Sequence, residues 1–278
     1  MPFLARHVLL ALVLATACLS RPGWAEERFI TLASTTSTEQ SGLFGWLVPR
    51  FEETTGIKVR VVAVGTGQAL AIGAAGDADA LLVHDRAGED GFVAAGHGLD
   101  RRDVMHNDFV LVGPGVDPAG VRGLRDGAAA LAKVAAAQAP FASRGDDSGT
   151  HRAELRLWGA AGIDVRGAGG GWYRELGQGM GPTLNTAAGM GAYVLTDRAT
   201  WANFKNRQEL EVLVEGDARL SNPYGSILVN PGKHPSVKTE LARAWHAWLT
   251  GTEGQRAIAS FRIGSEQVFF PDAKRAGS

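Results

Sequence analysis

The sequence predicts an α/β fold arranged in two lobes, and three observations carry that prediction. Short runs rich in β-branched residues alternate with amphipathic stretches, which is the rhythm of strand, helix, strand. The rhythm runs once as far as Gly113-Pro114 and starts again beyond it. The chain has 278 residues, 45% of them hydrophobic, enough for two cores of ordinary size.

Residues 1–25 read as a secretory signal. Arg6 and His7 precede the apolar run Val8 to Leu19, and Gly23-Trp24-Ala25 places small residues ahead of a cleavage point. Arg21, Pro22 and Gly23 end that run too soon for a membrane anchor. Leu14-Ala15-Thr16-Ala17-Cys18 offers a second reading, lipid attachment at Cys18. Cleavage after Ala25 removes Cys18, the single cysteine, and with it disulfide, thiolate and Cys-based metal chemistry.

The first set of elements then follows in order. Arg28 to Ala33 is a short apolar strand, Gly42 to Thr54 an amphipathic helix, and Lys58 to Val64 a second strand. Ala69 to Ala75 is a helix, Ala80 to His84 a strand, Gly88 to Ala95 a helix, and Asp108 to Val112 a strand stopped by Gly113-Pro114. The second set has a helix over Ala128 to Ala137, a strand at Phe141-Ala142, a turn from Arg144, and a helix reaching Trp158. The run Gly167 to Gly171 lacks the lysine and spacing of a phosphate-binding P-loop and reads as a surface turn. A helix from about Pro182 to Met190 has proline in its first turn. Strands at Ala192 to Leu195 and Leu210 to Val214 follow, and Ile227 to Val229, the helix Val237 to Thr250 and a segment Gly254 to Phe261 close the chain. Mainly parallel sheets flanked by helices follow from this alternation. One lobe is expected over residues 26–113 plus 222–278 and the other over 114–221, with two crossings as a hinge and the ligand cleft between them.

The formal net charge is -1, with Lys and Arg scattered along the chain, so nucleic acid is excluded as a partner and any bound anion is small. The equipment for such an anion is concentrated in Arg144-Gly145-Asp146-Asp147-Ser148-Gly149-Thr150-His151. Ser148, Gly149 and Thr150 stand where a helix leaves its N–H groups without partners, and those groups favour negative charge. Arg144 can present two parallel N–H bonds to an oxyanion, with Asp146 as its brace; the bland reading is a surface ion pair. Ser34-Thr35-Thr36-Ser37-Thr38 follows the first strand, at the strand end where ligands collect in open α/β sheets. Five consecutive hydroxyls exceed what one helix cap needs. Gly65-Thr66-Gly67 repeats the arrangement after the second strand, with a simple turn as the alternative.

Enzyme and metal readings are weaker. Ser148 as nucleophile with His151 as base and Asp146 as orienter fails on geometry, because a base three residues along the same nascent helix points away. His84, His97 and His106 lie on different elements without a His-x-x-x-His pair, so no metal site is expected. Asp85, Glu89 and Asp90 read as a solvated face, and Trp245 and Trp248 as core.

Taken together, these blocks resemble the periplasmic solute-binding proteins of ABC importers, specifically those of the tungstate type. The resemblance rests on Ser34 to Thr38 with Ser41-Gly42-Leu43, on Ala80 to Arg86, on Val104 to Val110 with Gly113-Pro114, and on Arg144 to His151. The Arg144 block also resembles phosphate-binding proteins, so alone it marks the wider oxyanion group. His106 departs from the pattern, standing where relatives often carry an aromatic. What the resemblance implies is a monomeric periplasmic-binding-protein fold that takes tungstate, and also molybdate, to a membrane permease and its ATPase, with no catalytic cofactor. By analogy, Thr35, Thr36, Ser37 and Thr66 serve one lobe, and Arg144, Ser148, Gly149 and Thr150 the other, with Thr183 a further second-lobe candidate.

Phosphate at neutral pH carries a proton and needs an acceptor, whereas a fully deprotonated anion needs donors alone. Asp146 is expected to be committed to Arg144, which favours tungstate, molybdate or sulfate; Asp85 as an acceptor keeps phosphate as the alternative.

Overall fold

The computed structural model describes residues 27–167 and 171–273. The signal segment 1–25, Cys18 and most of the Gly167 to Gly171 run lie outside the described residues. The first sheet is built on β1 (Phe29–Thr35), flanked in parallel by β2 (Lys58–Val64) and β3 (Ala80–Val83). It continues antiparallel through β9 (Ser221–Val229) and β4 (Gly98–Pro114) to a short edge strand, β10 (Phe270–Pro271).

Strand alternation explains why the central strands read as unbroken apolar runs. Ala80 and Leu82 face one core with Ile30 and Leu32, while Leu81 and Val83 face the opposite core with Ala33. A strand covered on both faces has no polar side to show. The first core also holds α2 (Leu43–Thr55) and α9 (Thr239–Thr250), where Phe51 meets the fully buried Trp245 edge-on at 5.1 Å and half-buried Trp248 packs beside them. α10 (Thr252–Ser260) packs next to α9 in the same core.

β4 is far longer than the predicted Asp108 to Val112. Its first half carries Asp100, Arg101, Arg102, Asp103, His106 and Asn107, a polar series that hides a strand from hydropathy but pairs with β9 over Gly98 to Asp108. From Phe109 onward the same strand exchanges partners and pairs with β7 (Val194–Asp197) and β8 (Leu210–Val214). Phe109 and Leu111 enter one core of this second half, Val110 and Val112 the other. The two pairings Asn107↔Asn222 and Asp108↔Ser221 are therefore the last of the first sheet, and β4 and β9 cross side by side.

Beyond the crossing, β5 (Phe141–Ser143) runs parallel to β6 (Tyr173–Glu175) and bridges to Tyr193. The helices α5 (Gly127–Ala136), α6 (Gly149–Ala160) and α7 (Met180–Met190) cover this half. Two short helices were not legible in the hydropathy: α1 (Thr36–Gln40), at the end of β1, and α8 (Arg198–Asn203), at the end of β7. Both sit at the junction, where Ala199 packs into the first core and Trp201 into a core of the second half. Two α/β halves joined by adjacent crossing strands are the result.

Candidate functional site

The polar side chains of the two halves converge where β1, α3 (Thr66–Ala75) and the β3 C-terminus meet α6. β1 ends on Thr35, whose side chain caps α1 by accepting from the Thr38 N–H. That capping turn directs Thr35, Ser37 and Thr38 inward, where they are at most 1% exposed; Thr36 is half-buried. Thr35 Oγ1 lies 2.7 Å from Thr38 Oγ1 and 3.1 Å from Ser37 Oγ, so these hydroxyls form one cluster. Thr66 opens α3 and is completely buried.

From the other half, Arg144 leaves β5 and is 2% exposed. Gly145 turns the chain in the left-handed region at φ +59°, where a Cβ would stand 2.8 Å from that of Glu175. The turn brings Asp146 back on Arg144: Oδ2 accepts from Nη2 at 2.5 Å and from Nε at 3.2 Å, while Oδ1 accepts from the Ser148 N–H. Asp146 thus braces the guanidinium, as expected. Ser148 is the N-cap of α6, accepting from the His151 N–H at 3.2 Å and keeping its own hydrogen. Thr150 is fully buried.

The halves touch through these same residues. Arg144 Nη2 donates to Thr36 Oγ1 at 3.3 Å, and the Gly149 N–H donates to Thr66 Oγ1 at 2.9 Å. Gly149 lies tight against the opposing half: a Cβ there would lie 2.8 Å from His84 Cε1 and 3.0 Å from the His84 carbonyl. Arg144 Nη1 and Thr150 Oγ1 are buried and have no protein partner. Buried donors left without acceptors are costly, so these two atoms mark a place prepared for an acceptor that the chain itself does not supply. Thr183 is not part of this convergence: its hydroxyl donates to the Gly179 carbonyl at 3.0 Å, so its hydrogen is spent within its own helix.

Other expectations resolve against the geometry. Asp85 and Glu89 are buried rather than solvated, at 3% and 0% exposure; Asp90 alone of the three is exposed, paired with Arg86. Asp85 is held by Arg152 at 2.6 Å and Arg156 at 3.3 Å, both on α6, so both of its oxygens are engaged by guanidinium groups. Glu89 accepts from Arg101 Nε at 2.8 Å and from the Asp85 N–H, and burial pushes its carboxyl up to about 7. His151 turns away from Ser148: its Nδ1 accepts from the Asp147 N–H, so no nucleophile and base meet. His106 pairs with Asp272 and stacks on Phe270 at the sheet edge.

His84, which the sequence offered only as a metal candidate, stands in the middle of the hydroxyl cluster. Its Nε2 is 3.1 Å from Ser37 Oγ and 3.2 Å from Thr35 Oγ1. Burial holds the imidazole down at about 4, with the Arg144 charge acting the same way against its hydrogen bond to Asn222. The signal was available: His84 follows β3 directly, at the same strand end as Thr35 and Thr66.

Two sheets joined by paired crossings, with hydroxyls on one jaw and a braced guanidinium and helix N-terminus on the other, define a two-lobed binder of a small oxyanion. Comparison with known proteins agrees. Residues 20–253 match the model of the PBP superfamily domain. The tungstate-binding protein TupA of Peptoclostridium acidaminophilum is 46% identical over 252 residues, 88% of this chain and 86% of that one. Among solved structures, the tungstate ABC transporter from Geobacter sulfurreducens is 49% identical with a TM-score of 0.77, covering 84% of this chain and 99% of that one. The tungstate-binding protein TupA from Desulfovibrio alaskensis G20 is 44% identical with a TM-score of 0.75, covering 89% and 100%. The chain belongs to the PBP superfamily and, within it, to the family of the tungstate-binding proteins TupA, a family of solute-binding proteins and not of enzymes.

Proposed function

We propose that this protein captures tungstate, and also molybdate, outside the cytoplasmic membrane and delivers it to the permease and ATPase of an ABC importer. In this reading it is a secreted periplasmic monomer, with residues 26–113 and 222–278 forming one lobe and 114–221 the other. The anion is held by Thr35, Thr36, Ser37 and Thr66 on the first and by Arg144, Ser148, Gly149 and Thr150 on the second, with Asp146 bracing Arg144. The observation that carries it is the buried Arg144, whose Nη1 lacks a protein acceptor at the point where the opposing hydroxyls and the α6 N-terminus meet.

A convergence dominated by hydrogen-bond donors suits an anion that carries no proton. Asp146 is spent on Arg144, and Asp85 on Arg152 and Arg156, which disfavours hydrogen phosphate. Calorimetric titration of the secreted chain with tungstate, molybdate, sulfate and phosphate tests this. Tungstate is expected to bind one-to-one and most tightly, and phosphate weakly; absence of heat with every tetrahedral anion sinks the proposal.

A further inference from the structure

Behind the hydroxyl cluster, six buried side chains close a ring of hydrogen bonds across the junction of the halves. Ser37 Oγ meets His84 Nε2 at 3.1 Å, and His84 Nδ1 meets Asn222 Oδ1 at 2.9 Å. Asn222 Nδ2 donates to Asn107 Oδ1 at 2.6 Å, and Asn107 Nδ2 donates to Asp197 Oδ1 at 3.4 Å. The same Asp197 oxygen caps the Thr200 N–H at 2.8 Å, and Thr200 Oγ1 donates back to the Ser37 carbonyl at 3.3 Å. Every member is at most 3% exposed. Ser37 and His84 belong to the first half, Asn107 and Asn222 are the paired residues of the two crossing strands, and Asp197 and Thr200 open α8 beyond the crossing.

The direction of the ring is forced from one end. The Asp197 carboxylate, which takes the Thr200 N–H, accepts from Asn107, so Asn107 presents its oxygen to Asn222 and Asn222 presents its oxygen to His84. His84 must then donate from Nδ1, which leaves Nε2 of the neutral ring as an acceptor facing Ser37 and Thr35. One of those two hydroxyl hydrogens ends on His84, which leaves at most one for an anion, with Thr38 Oγ1 2.7 Å from Thr35 Oγ1 as a further partner.

We propose that His84, Asn222, Asn107, Asp197 and Thr200 are positioning residues for the anion: the ring makes His84 Nε2 an acceptor that withholds one hydroxyl hydrogen of Thr35 and Ser37 from the anion, and ties that acceptor to the crossing strands. The proposal rests on the tungstate reading of the same site. The ring holds Ser37 from both sides, through its hydroxyl and through its carbonyl, so movement of α8 relative to β1 is felt at the hydroxyl itself. The charged groups facing His84 are Arg144 from the turn after β5, Arg156 on α6 and its own neighbour Asp85; Tyr224 of β9 stacks on the ring at 4.8 Å, and Phe109 of β4 lies 6.4 Å away.

The test is calorimetric titration with tungstate at about pH 8 and about pH 6, where a neutral His84 makes no contribution to pH dependence in the native chain. Asn222→Asp places a carboxylate on His84 Nδ1, which favours protonation of the imidazole and turns Nε2 into a donor. The hydroxyl hydrogen that Nε2 held is then released, so affinity in this variant is expected to rise about tenfold from pH 8 to pH 6, and the added substitution His84→Gln is expected to remove that slope. A flat profile in folded Asn222→Asp, or a slope that survives His84→Gln, overturns the proposal. Thr200→Val tests the other side of the ring without adding charge: about a fivefold loss of tungstate affinity is expected from the released Ser37 carbonyl, and unchanged affinity overturns the proposal. If the native chain itself gives no heat with tungstate, the functional reading fails first and this one with it.

Discussion

Burying a guanidinium is costly unless its charge and its donors are satisfied, and Asp146 satisfies only the Nε and Nη2 edge of Arg144. The remaining donor makes Arg144 the residue most sensitive to substitution. Arg144→Ala is expected to weaken tungstate binding by about 2–5 kcal/mol, the usual loss when one partner of a desolvated charge pair is removed. Calorimetry measures it, and an unchanged dissociation constant would move the site elsewhere. A second buried group reports on stability. Glu154 accepts from Tyr173 Oη at 2.8 Å and Trp158 Nε1 at 3.1 Å, and burial raises its carboxyl from an ordinary 4.5 to about 8 despite those bonds. Between those values the folded chain holds a proton that the unfolded chain has lost, so stability falls as pH rises from 4.5 to about 8. Glu154→Gln keeps an uncharged acceptor; its melting-temperature advantage over the native chain is expected to grow from about pH 5 to about pH 8, and a constant difference would place the titration elsewhere. At this scale Arg144, Ser148 and Thr35 were legible in the sequence, because a cap, a turn and a strand end are local. His84, Asn107 and Asn222 were not: each is unremarkable among its neighbours in sequence and acquires a role only from partners as many as 138 residues away.

Helix α6 performs two tasks along one face. Its N-terminus carries the Ser148 cap, the Gly149 N–H that donates to Thr66 and the buried Thr150 hydroxyl, and one and two turns on, Arg152 and Arg156 reach across to Asp85. The proposed anion grip and the ion pairs to the opposing half are therefore carried by a single rigid rod. Asp85→Asn is expected to speed tungstate release by about tenfold while changing the association rate little, since breaking a buried charge pair acts on the dissociation step. Stopped-flow displacement reads it, and an unaltered release rate would make the latch a passenger contact. The position of α6 was legible from its apolar spacing and its Ser-Gly-Thr entry. The polar first half of β4 was not, because charged residues on a strand flanked by β9 and an edge read as loop until the pairing is seen.

At the scale of the whole molecule, the proposed site draws on elements from both halves, which links ligand binding to folding. A ligand that binds only the folded chain stabilises it in proportion to the logarithm of its concentration. Tungstate at a hundredfold excess over its dissociation constant is expected to add about 2.7 kcal/mol. A thermal melt with and without tungstate measures that gain; no shift at saturating tungstate would show that the anion does not engage the folded state.

The sequence by itself determined the α/β class, most helices and strands, the oxyanion chemistry and the two groups of residues proposed to grip it. Hydropathy period, capping signals and strand ends are short-range properties that a linear reading carries. Only the tertiary structure decided what each acid and histidine does. Asp85, expected at a solvated face or as an acceptor for a protonated anion, became the anchor of an inter-lobe latch, and His84 became an acceptor within the hydroxyl cluster. The reason is physical: a carboxylate or an imidazole takes its role from the partner it meets and the water it loses, and both are set by chain segments that the crossing strands bring together.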